Sequence, residues 1–456
     1  MTFGGTSALG GLLSISNNAA QHHVFNVPVS FASGATASVT MSEAGYMDFA
    51  GGVTMYDLDT SGGPHYCGTF TVTTDGDWGA GAGSVLMENA ALNLPNGTYY
   101  DLAAGLTVAS GATLTVKRAR LDGAADGSYR YLLNTNNGIV KVLDEFYISA
   151  SPRFNDVINQ WGGGYMENTR GTGAFIFNKL RMDENGLIIA SATAVMGPEG
   201  IVRGGGIVRM LNSGTHTFGS SADWTMRKEG EDDASDPIFI KQGGASRATL
   251  TFDTSDWNDA TIPRKITCRA PICGANADQP GNISMIVKGN GEFAFETSYD
   301  DTSAWKVFAG GLTVQDEATV SVKPRCNPGK GAVTMGSGTT LKVAGSGTVA
   351  LGGALTLADD TTLAFNFSER GVTPVLVATN GVTVAGEVKV EVSATGNVRP
   401  KGGDHVLTTG GGFTGKTVTL VTDGAPDWLA HGNVRVNDDG DIVLYIVPDG
   451  TIILFR

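Results

Sequence analysis

The sequence predicts an all-β protein built as a repeating solenoid, and three observations carry that prediction. Glycine supplies 65 of the 456 residues while charged residues make up only 17%, against roughly 25% in an ordinary globular domain. Short runs that alternate apolar and polar residues recur along the chain, each closed by glycine-rich turn text. One motif is written three times: Phe49-Ala-Gly-Gly-Val-Thr-Met, Leu102-Ala-Ala-Gly-Leu-Thr-Val and Phe308-Ala-Gly-Gly-Leu-Thr-Val.

Alternation places successive side chains on opposite faces of a strand, one buried and one wet. Taking Val333, Leu341, Val349, Leu355 and Leu363 as markers, the buried positions recur at intervals of 8, 8, 6 and 8 residues. Strands this short and this regular do not fit a sheet layered with helices. The second and third motif copies continue together: Gly105 to Lys117 matches Gly311 to Lys323 at eight of thirteen positions. Self-similarity of this kind points to units that bury their apolar face only by stacking on the next.

The organisation follows in order. Residues 1–123 read as regular rungs. Residues 124–303 keep strand text (Ala174-Phe-Ile-Phe, Gly186-Leu-Ile-Ile-Ala, Ala248-Thr-Leu-Thr-Phe) but hold most of the charged clusters, so longer loops inserted on the same scaffold are expected there. Residues 304–400 return to regular rungs. Residues 401–456 read as a short C-terminal β-meander, with strand text at Asn433-Val-Arg-Val, Asp441-Ile-Val-Leu-Tyr-Ile and Thr451-Ile-Ile-Leu-Phe. Such a meander would cap the last open edge.

Composition excludes several functions. The glycines have no three-residue period, which rules out collagen. A net charge of −14 argues against nucleic acid as a partner. No apolar run approaches the roughly 18 residues of a membrane helix. The text from Met1 has no basic n-region and already reads as strand and turn. The chain is therefore expected to be a piece of a longer protein whose export signal lies outside it.

The repeated motif, followed by Ala-Thr-Leu/Val-x-Val and then Gly331-Ala-Val-Thr-Met-Gly-Ser-Gly-Thr-Thr-Leu341, resembles the autotransporter-associated β-strand repeat of exported bacterial surface proteins. The text from Val24 to Thr36 is similar to the stretches between such repeats. The resemblance covers roughly residues 20–120 and 300–395. It implies a right-handed parallel β-helix, displayed outside the cell or on its surface, with a structural or adhesive role and surface glycans or other cell-surface proteins as partners. It brings no catalytic residues with it. A polysaccharide-binding or polysaccharide-cleaving β-helix protein, and a phage-type fibre, are the alternatives.

Candidate sites are few. Asp75 with Asp77, and Asp183 with Glu184, are the carboxylate pairs that glycoside hydrolysis would need. The run Glu229, Glu231, Asp232, Asp233 and Asp236 offers the hard oxygens that calcium takes, or a solvated loop. Asn437-Asp-Asp-Gly-Asp441 reads as a hairpin turn. Trp161, Trp224, Trp257 and Trp305 either stack on sugar rings or anchor loops against the scaffold. Cys268 and Cys273 are spaced for a local disulfide or serve as small buried hydrophobes. The six histidines show no metal spacing. Gly410 to Thr417, with Gly415, Lys416 and Thr417, satisfies a phosphate-loop pattern, but the β-branched text after it cannot supply the helix a phosphate cradle needs. Nucleotide binding is therefore rejected, and no reaction is assigned.

Overall fold

β-Branched and aromatic residues dominate the strand text because they fit a pleated, half-buried surface. The strands they form pair in parallel over long stretches in a computed structural model of the chain. It describes backbone strands from Thr2 to Ile446. It describes side chains over 175–180, 193–202, 208, 210, 216–227, 248–270, 272, 283–296, 310–326, 328–396 and 398–448. The chain divides into two compact units: Met1–Gly230 with Ile238–Gln242, and Glu231–Pro237 with Gly243–Arg456. The described residues are almost wholly strand and turn, with a short 3-10 turn at Asp427–Leu429.

In the first unit, parallel pairing runs from Leu12–Asn17 through Thr36–Met41, Phe70–Val72 and Leu106–Val108, and onward to Val208–Met210 and Phe239–Lys241. A second ladder joins Thr113–Asp122, Ile139–Ser149, Ala174–Met182 and Thr193–Arg203. Phe175 and Phe177 are completely buried, as the alternating text around Ala174 requires; Leu180, past a register shift, is completely buried too.

The second unit shows the repeat most clearly. Its first ladder stacks Ala248–Asp256, Ile283–Lys288, Leu312–Val314, Val333–Met335, Leu355–Leu357 and Val382–Val384, all parallel. Its second stacks Lys265–Cys268, Glu292–Phe295, Thr319–Val322, Thr340–Val343, Thr361–Phe367, Val388–Ala394 and Val418–Val421. A third, shorter ladder joins Gly347–Leu351, Pro374–Ala378 and Thr408–Thr409. From Thr340 onward the chain visits the second, third and first ladders in turn, then starts again. Ser346 and Ser368, 22 residues apart, exchange backbone-to-hydroxyl hydrogen bonds and mark the period.

Register converts this order into a core. In the second ladder Ile266, Phe293, Val320, Leu341, Leu363 and Val390 stack directly and are all fully or almost fully buried. In the first, Leu250, Met285, Leu312, Val333 and Leu355 do the same. Phe252 of the first ladder meets Phe293 of the second with ring centroids 4.7 Å apart, so the two ladders share one interior. Burying such a side chain stabilises the fold by about 1.5–3 kcal/mol.

The repeated Phe-Ala-Gly-Gly motif has a physical cause in its third copy. A Cβ on Gly310 would lie 1.9 Å from the Ile283 carbonyl oxygen of the preceding rung, so no side chain fits. Gly311 has φ +100°, a conformation L side chains rarely adopt. Two glycines in sequence thus bring the chain close to its neighbour and turn it into Leu312–Val314.

The meander is present, with one member different from the sequence expectation. Asn433–Val436 and Ile442–Ile446 form the expected antiparallel hairpin, and its third strand is Gly403–Val406. Thr451–Phe455, expected as a strand, lies outside the described residues. The Asn437–Asp441 turn uses its polar groups on the backbone. Asp441 N–H donates to Asn437 Oδ1, and the Asp441 carboxylate accepts from Gly411 N–H. These bonds give the turn its structural role.

Ion pairs run along the outer face of the second ladder. Glu296 accepts from Lys323 at 3.1 Å and Arg269 at 3.4 Å. Burial alone would push its pKa up. Lys323, Arg269 and Lys265 more than reverse this and hold the carboxyl below the usual range. A carboxylate whose folded pKa is depressed stabilises fully above its unfolded value, and that stabilisation is lost as pH falls through the folded value. Melting temperature is therefore expected to hold steady down to about pH 5 and to fall below about pH 4. Glu296→Gln should flatten part of that acid limb in melts recorded across pH.

Candidate functional site

Two surface features of the second unit can do chemistry, and both are built by the ends of strands. The first is the hairpin that links Ala248–Asp256 to Lys265–Cys268 at Trp257–Arg264. Asp256 caps it. The residue is only 5% exposed, and both Arg264 Nε and Nη2 donate to Oδ2, at 2.8 and 2.6 Å. Oδ1 accepts from the backbone N–H groups of Asn258 and Asp259. Burial alone would raise the Asp256 pKa, but the Arg264 fork and the two amides hold it below the carboxylate range. From the next rung, the Asn290 side-chain amide donates to the carbonyls of Ala260 and Thr261.

That bracing fixes two apolar side chains in water. Trp257 is 44% exposed and Ile262 is 40% exposed. A large aromatic held open on a rigid loop is an anchor for a partner surface or a sugar ring.

Trp224 has the opposite fate. It is 2% exposed, and its indole N–H donates to Ser220 Oγ at 2.9 Å. The expectation that Trp224 could stack on a glycan is corrected by this burial: no open ring face remains, and the residue packs the interior. The contrast is measurable. Trp224→Ala is expected to cost about 3–5 kcal/mol of stability, whereas Trp257→Ala should stay within about 0.5 kcal/mol of the parent. Denaturant unfolding of the two variants checks this.

The second feature is a cleft of about 820 Å3 beside the terminal hairpin. The end of Val388–Ala394 and the loop carrying Val398 and Arg399 line it. The Pro426–Trp428 segment, His431, Val447 and Pro448 line it as well. Trp428 makes a T-shaped contact with Phe367, with ring centroids 5.9 Å apart. His405 makes a second T-shaped contact with the same buried Phe367. Arg399, Asp427 and His431 present exposed polar groups around the cleft.

The remaining sequence candidates fall as follows. Asp75, Asp183, Glu184, Trp161, Trp305 and the acidic run Glu229, Glu231, Asp232, Asp233 and Asp236 lie outside the described residues. So do the side chains of Asp77 and Cys273. Cys268 is buried, its thiol donates to the Ala270 carbonyl at 3.0 Å, and burial pushes its pKa up to about 12. Among the described residues no three His, Cys, Asp or Glu side chains are grouped to hold a metal ion.

The Gly410–Thr417 segment leads into the strand Val418–Val421, as its β-branched text requires. A Cβ on Gly410 or Gly412 would meet the carbonyl oxygens of Ala378 or Val382 at 2.2 and 2.3 Å. These glycines therefore serve close stacking on the preceding rung. Lys416 is exposed. No described helix is long and apolar enough to cross a membrane.

Sequence reasoning missed Arg399, Asp427, Trp428 and His431. A signal existed in Pro426-Asp-Trp-Leu429, an apolar island inside glycine- and proline-rich loop text. No family model matches the chain, and no curated protein matches it.

Proposed function

We propose that the chain is a right-handed parallel β-helix serving as a structural or adhesive stalk of an exported bacterial cell-surface protein, of the kind built from autotransporter-associated β-strand repeats. The observation that carries this reading is the in-register stacking of the second unit. Its ladders repeat one cross-section with continuous apolar columns inside. A scaffold of that kind adds length by adding rungs, and each rung contacts only its neighbours. Its lateral loops are then free to display contacts, and Trp257 with Ile262 on the braced hairpin is such a display. Surface glycans or other cell-surface proteins are the partners this role calls for.

The experiment is surface accessibility on intact cells of the organism that makes the protein. Antibody raised against the chain should label unbroken cells, and external protease should remove that label. Labelling only after the cells are broken open would overturn the reading.

A further inference from the structure

We infer that the cleft at the C-terminal hairpin is a saccharide-binding site, with Trp428 as the stacking platform and Arg399, Asp427 and His431 as the groups that bond ring hydroxyls. Such a site would act wherever the protein resides.

The cleft has the dimensions of a small-ligand site. Its volume, about 820 Å3, falls within the roughly 300–1,000 Å3 typical of such sites. Gly396 and Gly424 are part of its lining, and an added Cβ at either would meet nothing within 4 Å. The lining offers an indole held in a T-shaped contact with Phe367. A ligand that uses this platform meets a ring whose position is set beforehand, which reduces the ordering cost of binding.

The polar groups select the class of ligand. Arg399 supplies donors only, Asp427 acceptors only, and His431 one of each when neutral. A sugar ring presents neighbouring hydroxyls that each donate and accept, together with an apolar C–H face for the indole. It satisfies all four side chains. A lipid chain would offer Asp427 and His431 nothing to bond. A small anion would leave the indole unused.

The test uses the full chain and isothermal titration calorimetry with a panel of tetrasaccharides: glucose-based, galactose-based, uronic-acid-based and N-acetylhexosamine-based. At least one should bind with a dissociation constant between about 1 μM and 1 mM. Trp428→Ala should weaken that binding at least tenfold, and Asp427→Asn several-fold. Trp428→Phe preserves an aromatic ring against Phe367 and should retain measurable binding, which separates lost stacking from a disturbed hairpin. Trp257→Ala, on the other feature, should bind as the parent does. Preference for the uronic-acid probe, lost in Arg399→Ala, would identify a carboxylate contact. Preference for a neutral probe would identify hydroxyl recognition; both outcomes support the site. Absence of binding across the panel, or binding unchanged by Trp428→Ala, would overturn the inference.

Discussion

Phe293→Ala is expected to lower stability by about 3–5 kcal/mol, among the largest losses of any single change in the second unit. Phe293 is completely buried and lies in the middle of its column, between Ile266 and Val320. It touches Phe252 across the interior at 4.7 Å and Phe295 along its own strand at 4.9 Å. Removing its ring opens a cavity lined by residues fixed to three successive rungs, so the walls cannot collapse inward without breaking ladder hydrogen bonds. Each aromatic pair that disappears with the ring removes about 0.5–1.5 kcal/mol beyond the area term. The outward Thr334 is the matched control: Thr334→Ala leaves the buried columns intact and should stay within about 0.5 kcal/mol. Denaturant titration of both variants, followed by tryptophan fluorescence and far-UV circular dichroism, reads the difference.

Gly310→Ala tests the backbone side of the stacking. A methyl group there would sit 1.9 Å from the Ile283 carbonyl oxygen and 2.5 Å from its carbonyl carbon. Both atoms belong to the backbone, so relief requires the rungs to separate. Ser284 Oγ–H donates to the Gly310 carbonyl, and Met285 N–H to the Gly311 carbonyl; both bonds would lengthen. Overpacking of this kind costs about 1–3 kcal/mol and more where the backbone must move. Gly371→Ala is a useful comparison, since its Cβ would meet nothing within 4 Å although its φ of +81° still carries strain. A larger loss at Gly310 than at Gly371 would establish close stacking, rather than turn conformation, as the dominant reason for glycine in the repeated motif.

These two residues also show what the sequence could convey. Alternation marked Val333, Leu341, Val349, Leu355 and Leu363 as buried, and all five are 0–1% exposed in the strands they predicted. That inference works because the two-residue strand period is local. Val333 and Leu355 fall in the first ladder, Leu341 and Leu363 in the second, and Val349 in the third. The intervals between them therefore measure the sides of one repeating cross-section. Glycine excess was legible as turn text, but the need for Gly310 depends on Ile283, which is supplied by the preceding rung.

Sites were less legible because they depend on non-local meetings. Trp224 and Trp257 look alike in sequence, yet one is turned onto Ser220 and the interior while the other stands in water. Asp256 and Arg264 pair only because the hairpin between them closes. Gly403–Val406 escaped the sequence reading since its antiparallel partner, Ile442–Ile446, lies far along the chain. The cleft draws Arg399 from one loop and Trp428 with His431 from another, nearly thirty residues further along the chain.

The central claim is parallel, in-register stacking, and disulfide trapping tests it most directly. Thr334 lies beside Thr356 in the first ladder, and Thr356 beside Thr383, with all three side chains turned outward. Adjacent strands lie about 4.8 Å apart, within the Cα range of a disulfide, whereas residues two strands apart lie beyond it at about 10 Å. Mild oxidation of Thr334→Cys/Thr356→Cys should give a bond detectable by mass spectrometry of the linked peptides, while Thr334→Cys/Thr383→Cys should give none. Linkage in the second pair without the first would contradict the register and the stacked repeat built on it.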